Sequence, residues 1–376
     1  MCCRRRKIHK KCILTYLILG MLVLVGGCQR DVKREEGQTA KKIAILGKEE
    51  YVHADEGLLN GVEMALEEQT SSELQLVYYD DHGDYENGLS MASQIAQDDQ
   101  VVAVFSFQDF EVVDAEAECL EEAKKPLFAV QGCYEKTLER GYDYVFSNYM
   151  SSKDMGIAMA KYCGEKGYKR VVCSHTDTVF ENDEIKGFCA QAAEEGVEIV
   201  DMKAGPNNRN ELEVSYERWK QLGVDAIYIC RYVENVEQKE WIFQMIQYIK
   251  ERDPNFLIMG DYSLNGAKYL EVYGQYMTNA AYPNPYPIVE GDKAKEFEKK
   301  YLEKYSADTL SDGSYQGYDM CKMVCTAEEK GESVKDFFKE TDGYDGVSGK
   351  IAYTEDGKIQ TVCEYYSVVD GIFVEE

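Results

Sequence analysis

From Lys41 to Tyr262 the chain alternates short apolar runs with longer amphipathic ones, and few folds accept that rhythm. KKIAILG, LQLVYYD, VVAVFS, PLFAVQG and YDYVFSN each have the length and apolar character of a strand. Between them, Gly57 to Glu68 sets Leu58, Leu59, Val62, Ala65 and Leu66 on one helical face. Asn87 to Gln97, and a stripe of Val113, Ala117 and Leu120, give two further helices. Strands alternating with helices of roughly ten to fifteen residues predict parallel sheets with crossover helices.

After Asn148-Tyr149 the pattern restarts. The second series runs helix Lys153–Lys166, strand KRVVCSH, helix Asp183–Glu195 ended by Gly196, strand VEIVDMKAG and helix Asn210–Leu222 before Gly223. DAIYICR, a helix through Tyr248 and NFLIMGDY complete it. Two such series predict two similar lobes. Beyond Tyr273 the rhythm breaks at TNAAYPNPYP, whose clustered prolines mark a crossing segment. Helices Glu290–Tyr305 and Tyr315–Lys330 follow, and alternating residues around Glu355-Asp356-Gly357 and Asp370-Gly371 predict hairpins at the end.

The N-terminus has a different character. Arg4-Arg5-Arg6-Lys7 and Lys10-Lys11 precede an apolar run, Ile13-Leu14 to Leu24-Val25, that is short for a membrane span. A basic region, a short apolar region and small residues before a cut site make a secretory signal. An uncleaved membrane helix is the alternative, and under either reading everything after Cys28 lies outside the cytoplasm. Residues 28–40 are polar and aperiodic, a tether. The remainder of a 376-residue chain suffices for two ordinary domains, and 44% hydrophobic content supports a sizeable core. A net charge of −27 repels nucleic acid and anionic lipid, which excludes a nucleic-acid partner.

The cysteines after Cys28 are Cys119, Cys133, Cys163, Cys173, Cys189, Cys230, Cys321, Cys325 and Cys363. They are scattered singly, mostly among apolar neighbours, and read as small core hydrophobes rather than a disulfide scaffold. Enzyme chemistry is not predicted: His53, His82 and His175 are isolated, and no Gly-x-Ser-x-Gly, Gly-x-Gly-x-x-Gly or His-Glu-x-x-His occurs. Asp80-Asp81-His82-Gly83-Asp84 is the one metal-like cluster and reads as a polar turn, so no metal and no cofactor is expected.

Val25-Gly26-Gly27-Cys28 resembles the lipobox of bacterial lipoproteins. That resemblance implies a signal peptide over residues 1–27, lipidation at Cys28 and anchoring on the extracytoplasmic face of the cell membrane. From residue 41 onward the chain resembles the type I periplasmic solute-binding proteins, in their leucine/isoleucine/valine-binding branch. The ending GVSGKIAYTEDGKIQTVCEYYSVVDG, the helix start SYQGYDM, the pair VVAVFS and PLFAVQG, and the phrase GYKRVVCSHTDTVFENDEIKGF carry the likeness. It implies two doubly wound α/β lobes joined by a three-segment hinge, with lobe 1 over 41–147 plus 280–331 and lobe 2 over 148–279 plus 332–376. It also implies capture of a small polar ligand, such as an amino acid, for delivery to an ABC permease. A receptor feeding a membrane sensor kinase is the other output such a fold could serve.

Ligands of open α/β sheets bind beyond the carboxyl ends of the strands, where helix N-termini offer free N–H groups. The candidates are therefore Tyr51 after the first strand, and Phe107, Gln108, Asp109 and Phe110 after VVAVFS. Gln131, Cys133 and Tyr134 follow PLFAVQG; Asp177 with Phe180, Arg231, and Asp261 with Tyr262 occupy the second lobe. The loop corresponding to the family's hydroxyl-rich carboxylate grip, Phe107 to Val112, lacks Ser and Thr. The position of the family's acidic ammonium partner falls on Tyr262. Both departures argue against a simple branched-chain amino acid.

Overall fold

The computed structural model describes residues 40–54, 56–69, 74–231, 233, 235–264, 267–285, 289, 291–360, 365–369 and 372–375. The expected signal peptide, Cys28 and nearly all of the tether lie outside them. Residues 40–376 form one compact unit.

The first series folds as β1 (Lys41–Leu46), α1 (Glu49–Ala54), α2 (Glu56–Glu67), β2 (Leu74–Tyr79) and α3 (Tyr85–Gln97). It continues as β3 (Val101–Ser106), α4 (Phe110–Glu122), β4 (Leu127–Ala129), α5 (Glu135–Leu138) and β5 (Val145–Ser147). The sheet is parallel, in the order β2-β1-β3-β4-β5. Because successive side chains of a strand point to opposite faces, β1 feeds two cores. Ile43 and Ile45 belong to one apolar cluster, and Ala44 and Leu46 to the other.

The second series folds as α6 (Ser152–Glu165), β6 (Arg170–His175), α7 (Val179–Glu194), β7 (Glu198–Ala204) and α8 (Arg209–Gln221). After these come β8 (Ala226–Cys230), α9 (Val236–Lys250), β9 (Leu257–Gly260), α10 (Ala267–Tyr273) and β10 (Ala280–Pro283). Here Ile227 and Ile229 face one core, while Ala226, Tyr228 and Cys230 face the other. The remaining elements are α11 (Asp292–Lys304), α12 (Asp312–Lys330), α13 (Val334–Glu340), β11 (Tyr344–Gly346), β12 (Gly349–Ile351), β13 (Tyr365–Val369) and β14 (Ile372–Glu375). The second sheet has the order β14-β13-β10-β9-β8-β6-β7, antiparallel where β13 meets β10 and β14.

Two lobe boundaries differ from expectation. Residues 280–283 do not open the return to lobe 1; they pair with β9 and β13 in the second sheet, Ala281 opposite Met259 and Ser367. Residues 334–359 stay with lobe 1 rather than starting lobe 2. Phe338, Ile351, Tyr353 and Ile359 are buried in the same cluster as Ile43 and Phe105. The two pairings at the C-terminal end belong to different lobes. Tyr353 and Ile359 bridge around the Asp356-Gly357 turn inside lobe 1, while β13 and β14 extend lobe 2.

The chain passes from β5 of lobe 1 to α6 of lobe 2 through residues 148–151, and lobe 2's β10 is followed through residues 284 and 285 toward α11, whose Phe297 and Tyr301 pack in the lobe 1 core. Asn148 ties the crossing to lobe 1: its side-chain oxygen accepts from Tyr353 Oη at 2.6 Å, and its carbonyl accepts from Gln316 Nε2. Met150 N–H reaches Pro285 O at 3.4 Å, joining the first two passages.

Each lobe also contains one helix pair in backbone contact. A Cβ at Gly61 would lie 2.1 Å from Ser314 O, and one at Gly317 2.2 Å from Leu58 O, so α2 and α12 touch through reciprocal glycines. Gly156 and Gly187 do the same for α6 and α7, at 1.9 Å from Glu184 O and 2.0 Å from Lys153 O. All eight described cysteines after the tether are free, and six are buried, as expected of core residues. Cys363 lies outside the described residues.

Candidate functional site

In lobe 1 the strand order reverses between β1 and β3, and in lobe 2 between β6 and β8, so the ligand-accessible crevices open at those strand ends. A cavity of about 550 Å³ lies there, with walls from both lobes. Lobe 1 supplies Asp109, Phe110 and Glu111 from the start of α4, and Val130, Gln131 and Tyr134 from the loop after β4. Lobe 2 supplies Thr178, Val179 and Phe180 from the start of α7; Tyr149 of the crossing and Gln316 of α12 close it.

Local sequence explains the placement. Asp109 is the extended N-cap of α4 and makes no side-chain cap bond, leaving its carboxylate at the exposed rim. Thr178 caps α7 by accepting from Glu181 N at 3.2 Å. Gly132 turns the chain at φ +92°, a region L side chains rarely adopt, and a Cβ there would meet Phe110 Cζ at 3.3 Å. The bare backbone thus lets the Phe110 ring lie against this loop. That ring meets Tyr134 edge-on at 5.5 Å between centroids and Phe180 of the opposite lobe at 5.9 Å.

Of the residues expected at the site, Asp109, Gln131 and Tyr134 line this cavity, together with Phe110 and Phe180. Others do not. Phe107 is completely buried in the lobe 1 core, because Phe107 N–H continues the ladder to Leu46 O and turns its ring inward. Gln108 is buried with its amide donated to Asp81 Oδ2 at 2.9 Å. Cys133 is buried, and burial pushes its thiol up to about 12. Asp177 is exposed and accepts from Asn182 Nδ2 at 3.0 Å. Tyr51 lies on α1, and Tyr262 on a single turn of 3-10 helix; their side chains are outside what is described.

Arg231 lines a second cavity, of about 380 Å³, with Thr176, Asn207 and Trp241. Its guanidinium donates to Pro206 O at 2.9 Å and to Asn207 Oδ1 at 2.6 Å, so the fork braces the loop after β7. Asp261 is buried, lines neither cavity and accepts from Ser263 N at 2.7 Å; burial raises its carboxyl to about 6, opposed by Ser263. Burial and the neighbouring Asp261 charge likewise raise Glu184 well above the carboxylate range, and Tyr228 Oη donates to it. Among the described residues no three His, Cys, Asp or Glu side chains converge as metal ligands. His82 instead pairs with Asp80 at 2.8 Å.

The sequence profile of the periplasmic binding protein family matches residues 50–371, most of the chain and both lobes. The chain belongs to that family. Periplasmic binding proteins bind solutes and are not enzymes, in keeping with a two-lobed cleft. Solved structures share the fold at low identity. An ABC transporter substrate-binding protein from Desulfitobacterium hafniense superposes with a TM-score of 0.76 at 19% identity, covering 90% of this chain and all 100% of that one. A leucine-binding protein from Thermotoga maritima gives 0.68 at 18%, covering 90% and 98%. A solute-binding protein from Rhodopseudomonas palustris, in complex with 3,4-dihydroxybenzoic acid, gives 0.70 at 18%, covering 90% and 96%. No curated protein sequence matches the chain significantly.

Lining residues not expected from the sequence are Glu111, Val130, Tyr149, Thr178, Val179 and Gln316. Thr178-Val179-Phe180-Glu181 carries the Thr-x-x-Glu spacing of a helix start. It would have moved the start of α7 from Asp183 to Val179 and brought Thr178 and Val179 to the strand end. Gln316 had no local signal, since it arrives from α12, far along the chain.

Proposed function

We propose that the protein captures a small ligand between its two lobes and delivers it to an ABC permease in the membrane. The observation that carries this reading is the 550 Å³ cavity with Phe110 on one wall and Phe180 on the other. A guest there touches both lobes only when they are closed, so binding shifts a hinge equilibrium toward closure, and a permease can recognise that shape. The volume suits a ligand the size of an amino acid or a small aromatic metabolite. Structural neighbours crystallised with leucine or with 3,4-dihydroxybenzoic acid support that size range.

The reading includes anchoring by lipid on Cys28. Each buried methylene contributes about 0.8 kcal/mol, so two or more acyl chains hold where one would bind reversibly. Palmitate labelling of the expressed protein, lost in Cys28→Ala, is the expected result; labelling that persists would remove the lipid from the proposal.

A thermal-shift screen of metabolites tests the binding role. A ligand at a hundred times its dissociation constant should stabilise the protein by about 2.7 kcal/mol. Small-angle scattering should then show a more compact particle. A stabilising ligand whose binding leaves the scattering unchanged would argue against capture by closure.

A further inference from the structure

The chemistry of the cleft is one-sided. Four aromatic side chains line it, Phe110, Tyr134, Tyr149 and Phe180, and its charged lining is Asp109 and Glu111. No Lys or Arg lines it among the described residues. Lys136 sits 4.7 Å over the Tyr134 ring, and its ammonium is held by Asp114 at 2.9 Å. The helix ends facing the cleft would ordinarily favour an anion. Here that favour is already answered, by Asp109 and Glu111 at the start of α4 and by the buried Glu181 in the first turn of α7. The field shows on Tyr134: burial, and then the Glu111 charge, raise its phenol above the ordinary range, with Lys136 opposing.

A carboxylate entering this space would meet two carboxylates and, among the described lining residues, no cation. An ammonium would meet aromatic rings and the same two carboxylates, the combination by which organic cations are recognised. We propose that the cleft takes a small organic cation, an ammonium or quaternary ammonium on an apolar or aromatic body, and discriminates against ligands whose charge is a carboxylate. This rests on the cleft being the capture site.

Calorimetry on the full-length protein in non-ionic detergent tests it, with choline and benzyltrimethylammonium as cationic probes. The uncharged tert-butyl isostere of choline, leucine and benzoate are the counter-probes. The cationic probes should bind, and the isostere should bind at least about tenfold more weakly. Phe180→Ala and Glu111→Gln should each weaken the cationic probe about tenfold while circular dichroism stays that of the parent. Equal binding of choline and its isostere overturns the proposal, as does silence of both cationic probes. Binding of leucine or benzoate with lobe closure overturns it too, yet leaves the capture role standing. Failure of every ligand in a broad screen to close the lobes would remove the capture role itself.

Discussion

Phe110 and Phe180 approach each other across the cleft, ring centroids 5.9 Å apart and planes at 61°, although they stand on different lobes. Each occupies the first turn of a helix that begins at a strand end, α4 after β3 and α7 after β6. An edge-to-face pair contributes about 0.5–1.5 kcal/mol beyond the area it buries. Removing it should therefore shift the open–closed balance toward open by roughly two- to tenfold. Phe180→Ala is expected to raise the radius of gyration of the ligand-free protein in small-angle scattering. An unchanged scattering curve would show that the pair does not hold the lobes together.

The reciprocal glycines make a prediction about each lobe. Gly156 faces Glu184 O at 1.9 Å from a would-be Cβ, and Gly317 faces Leu58 O at 2.2 Å, both backbone atoms that cannot swing aside. Gly156→Ala and Gly317→Ala would each force a helix pair apart. Overpacking of this kind costs about 1–3 kcal/mol, more than the helix propensity gained from alanine. Urea midpoints should fall for both. A midpoint that rose instead would mean the helices have slack that the close approach denies.

The architecture was legible because it is written in local patterns. β1, β3, β6 and β8 each carry an unbroken apolar run (residues 43–46, 101–105, 171–173 and 226–230), and α2 and α4 keep their stripes, so strand and helix could be told apart by period. The site was legible only where it follows directly from a strand end, as with Asp109, Gln131 and Tyr134. Proximity to a strand end does not decide which way a side chain turns: Phe107 and Asp109 are two residues apart, one fully buried and one exposed. The lobe boundaries failed for a different reason. α13, β11 and β12 are short, and their apolar residues pack into a core shared with residues far earlier in the chain, a relation no local pattern carries.

Glu116 predicts a pH dependence. It is fully buried on α4, accepts from Ser106 Oγ at 2.5 Å and has its second oxygen without a hydrogen-bond partner among the described residues. Burial raises its carboxyl from 4.5 to about 8, with Ser106 opposing and the Asp81 charge adding. The folded protein therefore holds a proton that the unfolded chain releases near 4.5. Its contribution is fully present below that pH and is lost as pH rises through the window from 4.5 toward 8. Within the window the slope from one such group is about 1.4 kcal/mol per pH unit. Glu116→Gln keeps the shape without the proton, so the variant should gain on the parent between pH 5 and pH 8. Parallel stability curves for the two proteins would contradict the assignment.

Arg231 separates bracing from binding. Its two donors go to Pro206 O and Asn207 Oδ1, Trp241 Nε1 donates to the same Pro206 carbonyl at 2.8 Å, and Asn207 N–H continues to Glu211 at 2.9 Å. The fork thus organises the turn between β7 and α8, and the cavity it lines shares no residue with the aromatic cleft. Arg231→Met preserves bulk while leaving the Asn207 and Pro206 acceptors short of a donor, at a cost of about 1–3 kcal/mol. The melting temperature should drop by several degrees, at roughly 2–4 °C per kcal/mol for a protein of this size class. Affinity for whatever ligand the cleft holds should stay within about twofold, since neither wall of the cleft is touched. Were affinity instead lost with the melting temperature unchanged, the ligand would have to reach from Phe180 into the Arg231 cavity, and the guanidinium would be a recognition group after all.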